Sequence, residues 1–103
     1  MEKRKMIEEL ISKEFDVRPD FARNKERNRK ATLPRKVLCS VLYNKEELRL
    51  TAIRDYMQFK THTNIMYHIK SMEELYSVDI EFKEKVDRVY DAAYKVYYLN
   101  ETI

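Results

Sequence analysis

The chain contains no glycine in 103 residues. That absence constrains the fold more than any motif does. Tight hairpin turns of types I′ and II′ need residues at positive φ, where glycine sits at least cost. A glycine-free chain forms few such hairpins, and the sequence predicts an all-α helical bundle. Hydrophobic residues make up 44 % of the chain, enough for one modest core over residues 1–103 read as a single domain. The 38 % of charged residues implies a thin core beneath a heavily solvated surface.

Apolar spacing divides the chain into helices. Met6, Ile7, Leu10, Ile11 and Phe15 line one side of a helix over Glu2 to Phe15. Asp16 to Asp20 ends it, because Pro19 cannot continue a helical ladder. Phe21 to Thr32 has no apolar period and is expected as a loop with its cations in solvent. Pro34 suits the first turn of the next helix, with Thr32 near its cap and Val37, Leu38, Val41 and Leu42 as its buried stripe. The polar run Asn44-Lys45-Glu46-Glu47 closes that helix. A short helix follows, with Thr51 as its expected cap and Ile53, Tyr56 and Met57 turned inward. Gln58-Phe59-Lys60 connects it to a longer helix opened by Thr61.

That longer helix has two faces. Ile65, Ile69 and Met72 recur at helical spacing, and Met66 widens the stripe. Lys60, Thr63, Asn64, Tyr67, Lys70 and Ser71 point the other way, as groups able to reach base edges and phosphates. The hydroxyl of Thr61 is expected to cap the first turn, and a helix N-terminus favours a bound phosphate. Two helices joined by a short turn, the second polar outside, describe a helix-turn-helix over about residues 51–76. Ser77-Val78-Asp79 should interrupt the helix after Leu75. A last helix over about residues 80–99 carries Phe82, Val86, Val89, Ala93 and Val96 at alternating spacings of four and three. Tyr90, Tyr94, Tyr97 and Tyr98 crowd its end, either as core packing against the first helices or as a homodimer or protein-partner surface.

Net charge is +3, and its distribution says more than its sum. From Arg23 to Lys36 there are seven cations (Arg23, Lys25, Arg27, Arg29, Lys30, Arg35 and Lys36) and one acid, Glu26. From Glu73 to Ile103 acids outnumber bases eight to four. A concentrated basic stretch is either a solvated loop or the electrostatic footprint of a nucleic-acid binder. Cys39 lies among Val37, Leu38, Val41 and Leu42, which reads as a buried structural thiol suited to a reducing cytoplasm. No apolar run approaches the ~20 residues that span a bilayer, and no signal-peptide core follows the first residues. Enzymatic activity, a metal and a cofactor are not expected. His62 and His68 stand six residues apart, about 240° around a helix, and so are not the i, i+4 pair of a helical zinc site.

The order of these features resembles the C-terminal DNA-binding domain of the bacterial replication initiator DnaA. The residues that carry the resemblance are the basic stretch, Leu33-Pro34-Arg35-Lys36, the apolar helix, the short helix at Thr51, and Lys60-x-His62-Thr63-x-Ile65-Met66. It spans about residues 6 to 95. The resemblance implies an all-helical domain on double-stranded DNA, with the helix after Thr61 in the major groove. It implies base contacts from Thr61, His62, Thr63, Asn64 and Arg35, a minor-groove contact from Arg27, and backbone contacts from Lys25, Arg29, Lys30, Lys36, Thr51, Lys60 and Lys70. Asn64 stands where the family usually has a small hydroxyl residue, and it can pair bidentately with adenine. Thr61 stands where the family usually has an acid that reads cytosine. Lys36 replaces a glutamine, Arg54 a glycine or alanine, His68 a small residue, and Gln58-Phe59 a glycine-containing turn. The phosphate loop GxxxxGK[ST] of the initiator's ATPase domain is absent. A stand-alone replication or transcription regulator of phage or mobile-element type is therefore expected. A helical protein-interaction module built on the Tyr-rich acidic C-terminal helix is the alternative.

Overall fold

In a computed structural model that describes residues 3–23 and 31–99, the chain forms five α-helices and one 3₁₀ turn. These are α1 (Lys3–Phe15), the 3₁₀ turn (Pro19–Ala22), α2 (Thr32–Asn44), α3 (Leu50–Met57), α4 (His62–Val78) and α5 (Ile80–Tyr98). No strand occurs among the described residues, so the fold is all-α. None of these helices is long and apolar enough to cross a membrane.

The core is built around α2. Every residue from Lys36 to Leu42 is buried, so this helix is covered on all sides. It packs on α4 most extensively, and also on α1, α3 and α5. On α4, Ile65, Ile69 and Met72 are buried, as their spacing predicts. Phe82, Val86, Val89, Ala93 and Val96 of α5 are all buried, as are Ile7 and Ile11 of α1, which packs against α5. Cys39 is buried, its thiol 3.2 Å from the Met57 sulfur.

Without glycine, the chain turns corners with other residues at positive φ: Asp16 (φ 54), Glu47 (φ 58) and Gln58 (φ 59). At the ends of α1 and α3 the geometry is a Schellman closure. Val17 N–H donates to the Ser12 carbonyl at 3.0 Å, and Phe59 N–H to the Arg54 carbonyl at 3.0 Å. A left-handed residue with a Cβ costs roughly 1–2 kcal/mol, so each corner carries some strain.

Several expectations need correction. Phe21 and Ala22 belong to the 3₁₀ turn and are buried, because one short turn can bury an apolar pair without any period. Thr51 is not a cap: α3 begins at Leu50 after Arg49, and Thr51 sits inside its first turn. Thr32 lies near the cap of α2, as expected, being its first residue after Ala31 at the cap position. Thr61 does hold the cap position of α4, in an extended conformation, but its hydroxyl makes no capping bond. The side chain that caps is Asp79, which accepts from Phe82 N–H at 3.1 Å. Asp79 alone separates α4 from α5, so Ser77 and Val78 remain helical. Met66 is 53 % exposed and lies outside the apolar stripe.

Candidate nucleic-acid interface

Two features place the candidate reading face. The first is the turn 58–61, which begins at the left-handed Gln58 and joins α3 to α4. Phe59 in that turn packs on the core and meets the His68 ring at 5.2 Å between centroids. The second is the burial of Ile65, Ile69 and Met72, which fixes the rotation of α4 about its axis. The opposite side is then forced outward. Lys60, Thr61, His62, Thr63, Asn64, Tyr67 and Lys70 are exposed, while Ser71 is half-buried. Thr63, Tyr67 and Lys70 follow one another at spacings of four and three along the outer ridge. Thr51, near the start of α3, is also exposed.

Tyr67 was expected on this outward face, though not among the base or backbone contacts that the resemblance implies. It is 65 % exposed in the second turn of α4. The Lys36 ammonium from α2 lies 4.9 Å from its ring centre. Lys36 itself is 6 % exposed, and burial pushes its pKa below the ordinary lysine value. This corrects the expectation of a solvent-facing backbone contact. The stem of Lys36 is buried beside the core stripe of α2, and its charge is spent against an aromatic face. A signal for Tyr67 was available: it stands four residues beyond Thr63, on the same side of the helix.

Arg35 is half-buried, and its Nε donates to the Phe21 carbonyl at 2.8 Å. Burial lowers its pKa from the ordinary arginine value. Its guanidinium therefore ties α2 to the 3₁₀ turn. Arg23, at the head of the basic stretch, is also engaged: it pairs with Glu8 at 3.6 Å and lies 4.3 Å from the Tyr56 ring centre. The Tyr56 hydroxyl donates to Glu8. Burial, reinforced by that bond, pushes the Tyr56 pKa up to about 12. Lys25, Arg27, Arg29 and Lys30 lie outside the described residues.

The four C-terminal tyrosines do not form one surface. Tyr90 is half-buried and shares its hydroxyl with Ser40 and with Asn44 Nδ2, the latter at 3.1 Å. Tyr97 is half-buried and donates to Glu46 at 3.0 Å. Both pack the last helix onto the body of the fold, which for these two favours the core-packing alternative over a partner surface. Tyr94 and Tyr98 remain exposed, with ring centroids 5.3 Å apart.

The chain is similar to the chromosomal replication initiator protein DnaA of Campylobacter jejuni subsp. doylei, and to that of two strains of Campylobacter jejuni subsp. jejuni. Each is 22 % identical over 80 residues, which cover 78 % of this chain and 18 % of the relative. The chain thus matches a small part of those proteins. No protein-family model matches it, and no solved structure matches it.

Proposed function

We propose that this chain binds double-stranded DNA with sequence preference, the first two turns of α4 lying in the major groove. The observation that carries this reading is the outer face of α4. His62, Thr63, Asn64 and Tyr67 stand exposed together, flanked by Lys60 and Lys70, on a helix whose other side is locked into the core. Each group suits a duplex. Asn64 matches adenine N6 and N7, Thr63 offers a methyl to thymine, and His62 is a short donor or acceptor at the helix entry. Lys60 and Lys70 suit the phosphates that flank a major groove. The succession of α3 and α4 across a four-residue turn supports a helix-turn-helix reading. The distant similarity to replication initiators supports the same reading. We read the chain as a regulator or accessory factor of replication or transcription that acts by occupying sites, without catalysis.

The test is selection from a random pool of duplexes at low salt. The expected result is enrichment of a defined site, bound with affinity that falls steeply as salt rises. Undetectable binding to the pool at low salt rejects the reading. The exposed Tyr94–Tyr98 pair favours a second reading, a protein-contact surface on α5. That reading gains if the pool stays unbound while the folded chain is a monomer that retains these exposed rings.

A further inference from the structure

Arg35 sits on α2, yet its direction is set from another element. The acceptor of its Nε is the Phe21 carbonyl, in a 3₁₀ turn of four residues. Turns this short do not hold themselves. Buried Phe21 and Ala22 anchor this one on its apolar side. Its other anchor is polar and follows immediately. Arg23 is gripped by Glu8 of α1 and by the ring of Tyr56 of α3, and those two are joined to each other through the Tyr56 hydroxyl. Glu8 is only 5 % exposed, so its carboxylate has been withdrawn from water for this arrangement. Arg4 adds a second guanidinium 5.0 Å from the same ring centre.

We infer that Glu8 and Tyr56 are positioning residues for DNA binding: through Arg23 they fix the 3₁₀ turn, and the Phe21 carbonyl of that turn orients the Arg35 guanidinium toward the duplex. The inference rests on the proposed DNA-binding reading and adds a route by which α1 and α3 act on a contact neither of them makes. A long side chain held in its bound direction loses less freedom on association, so pre-setting Arg35 tightens binding without a new contact. The route passes through the carbonyl-to-guanidinium bond, and a cycle that removes Arg35 separates it from simple packing.

The experiment is a double-mutant cycle on duplex affinity, at fixed salt, with the site recovered from the random pool. Tyr56→Leu removes ring and hydroxyl without altering net charge, and Tyr56→Phe keeps the ring. Each is measured with Arg35 present and in an Arg35→Ala background. Amide exchange at positions 21 and 23, whose N–H groups donate to the Arg18 and Asp20 carbonyls, reports the turn directly. Tyr56→Leu is expected to speed exchange there and to weaken binding roughly tenfold, within the range of couplings between interacting residues. In the Arg35→Ala background that loss should vanish, and with Arg35 present Tyr56→Phe should lose less than Tyr56→Leu. Equal losses in the two backgrounds overturn the inference, as does faster exchange with unchanged affinity. If Tyr56→Leu does not fold, Glu8→Gln takes its place, with the added positive charge corrected through the salt slope. A wild-type chain that binds no duplex rejects the functional reading itself and this inference with it, a result distinct from any pattern among variants.

Discussion

Cys39 and Tyr56 are acids that the fold keeps neutral. Burial pushes the Cys39 thiol from an ordinary 9.0 up to about 12, and burial with the Glu8 bond pushes Tyr56 from 10.0 to about 12. Both folded values exceed the unfolded ones. Between pH 9 and 12 the unfolded chain releases protons that the folded chain retains, so stability is intact below the lower bound and declines as pH rises through the window. Melting temperature should therefore hold to about pH 9 and then fall. In Cys39→Ala the onset should move about one unit upward, to where tyrosine begins to ionise. A melting temperature flat through pH 11 would show that neither group is held neutral. Cys39 was readable from the sequence because its neighbours are apolar at helical spacing. Lys36 was not. A lysine beside that same stripe reads as a solvent cation, since lysine is rarely buried without a partner. Its partner, the Tyr67 ring, is 31 positions away on another helix, beyond the reach of local pattern.

At the scale of the element, apolar spacing predicted faces well and helix ends poorly. The α5 stripe from Phe82 to Val96 was legible because five buried residues keep one period. The start of α3 was not, because Thr51 is the residue type that caps helices while the position is held by Arg49 without a side-chain bond. Gln58-Phe59 stand where the resembled family has a glycine-containing turn, and the chain places Gln58 at φ 59, ψ 39. Gln58→Gly should relieve that strain and stabilise the fold by about 1 kcal/mol, less whatever the freer unfolded chain takes back. The midpoint of urea unfolding, read at constant slope, measures it. A lower midpoint would mean that the glutamine side chain contributes more than its backbone costs. On α4 the two kinds of contact should separate. His62→Ala or Asn64→Ala is expected to reduce discrimination between selected and altered sites by roughly 1–3 kcal/mol. Lys60→Ala or Lys70→Ala should weaken all duplexes alike and lower the salt slope by about 0.9 each. Uniform weakening from the first pair would show that α4 does not read bases.

Across the whole molecule, the sequence showed a basic stretch and an acidic last third but not which charges the fold consumes. Arg4 is bound through Nε and Nη2 to Glu46, with Nη2 to Oε1 at 2.6 Å, and Tyr97 donates to the same carboxylate, so α1, the end of α2 and the end of α5 meet there. The Glu46 hydrogen bond raises the Arg4 pKa, as expected for a guanidinium held in its charged form. Arg23 is likewise taken up by Glu8 and Tyr56. Such contacts could not be read locally, because periodicity says which face a helix buries and not against which helix. The consequence is a division between charges that hold the fold and charges left for a polyanion. The Arg4–Glu46 and Arg23–Glu8 pairs are partly buried, with one partner well shielded in each, and salt screens such pairs weakly. The cations that the DNA-binding reading sets against the duplex are Lys60 and Lys70, with Arg35, whose Nε also serves the fold, and, from the sequence, Lys25, Arg27, Arg29 and Lys30. If most of these neutralise a phosphate, affinity should fall on the order of 10³–10⁵-fold between about 50 and 200 mM salt, at a slope near −0.9 for each contact. Over the same interval the melting temperature should change by no more than about 4 °C, the shift that roughly 1 kcal/mol would produce in a chain of this size. Both quantities can be read on one dilution series, by fluorescence anisotropy of a labelled duplex and by circular dichroism. Affinity indifferent to salt would mean that these cations do not meet phosphates. A melting temperature that dropped in step with affinity would mean that salt acts on the fold, and that the two sets of charges are not separate.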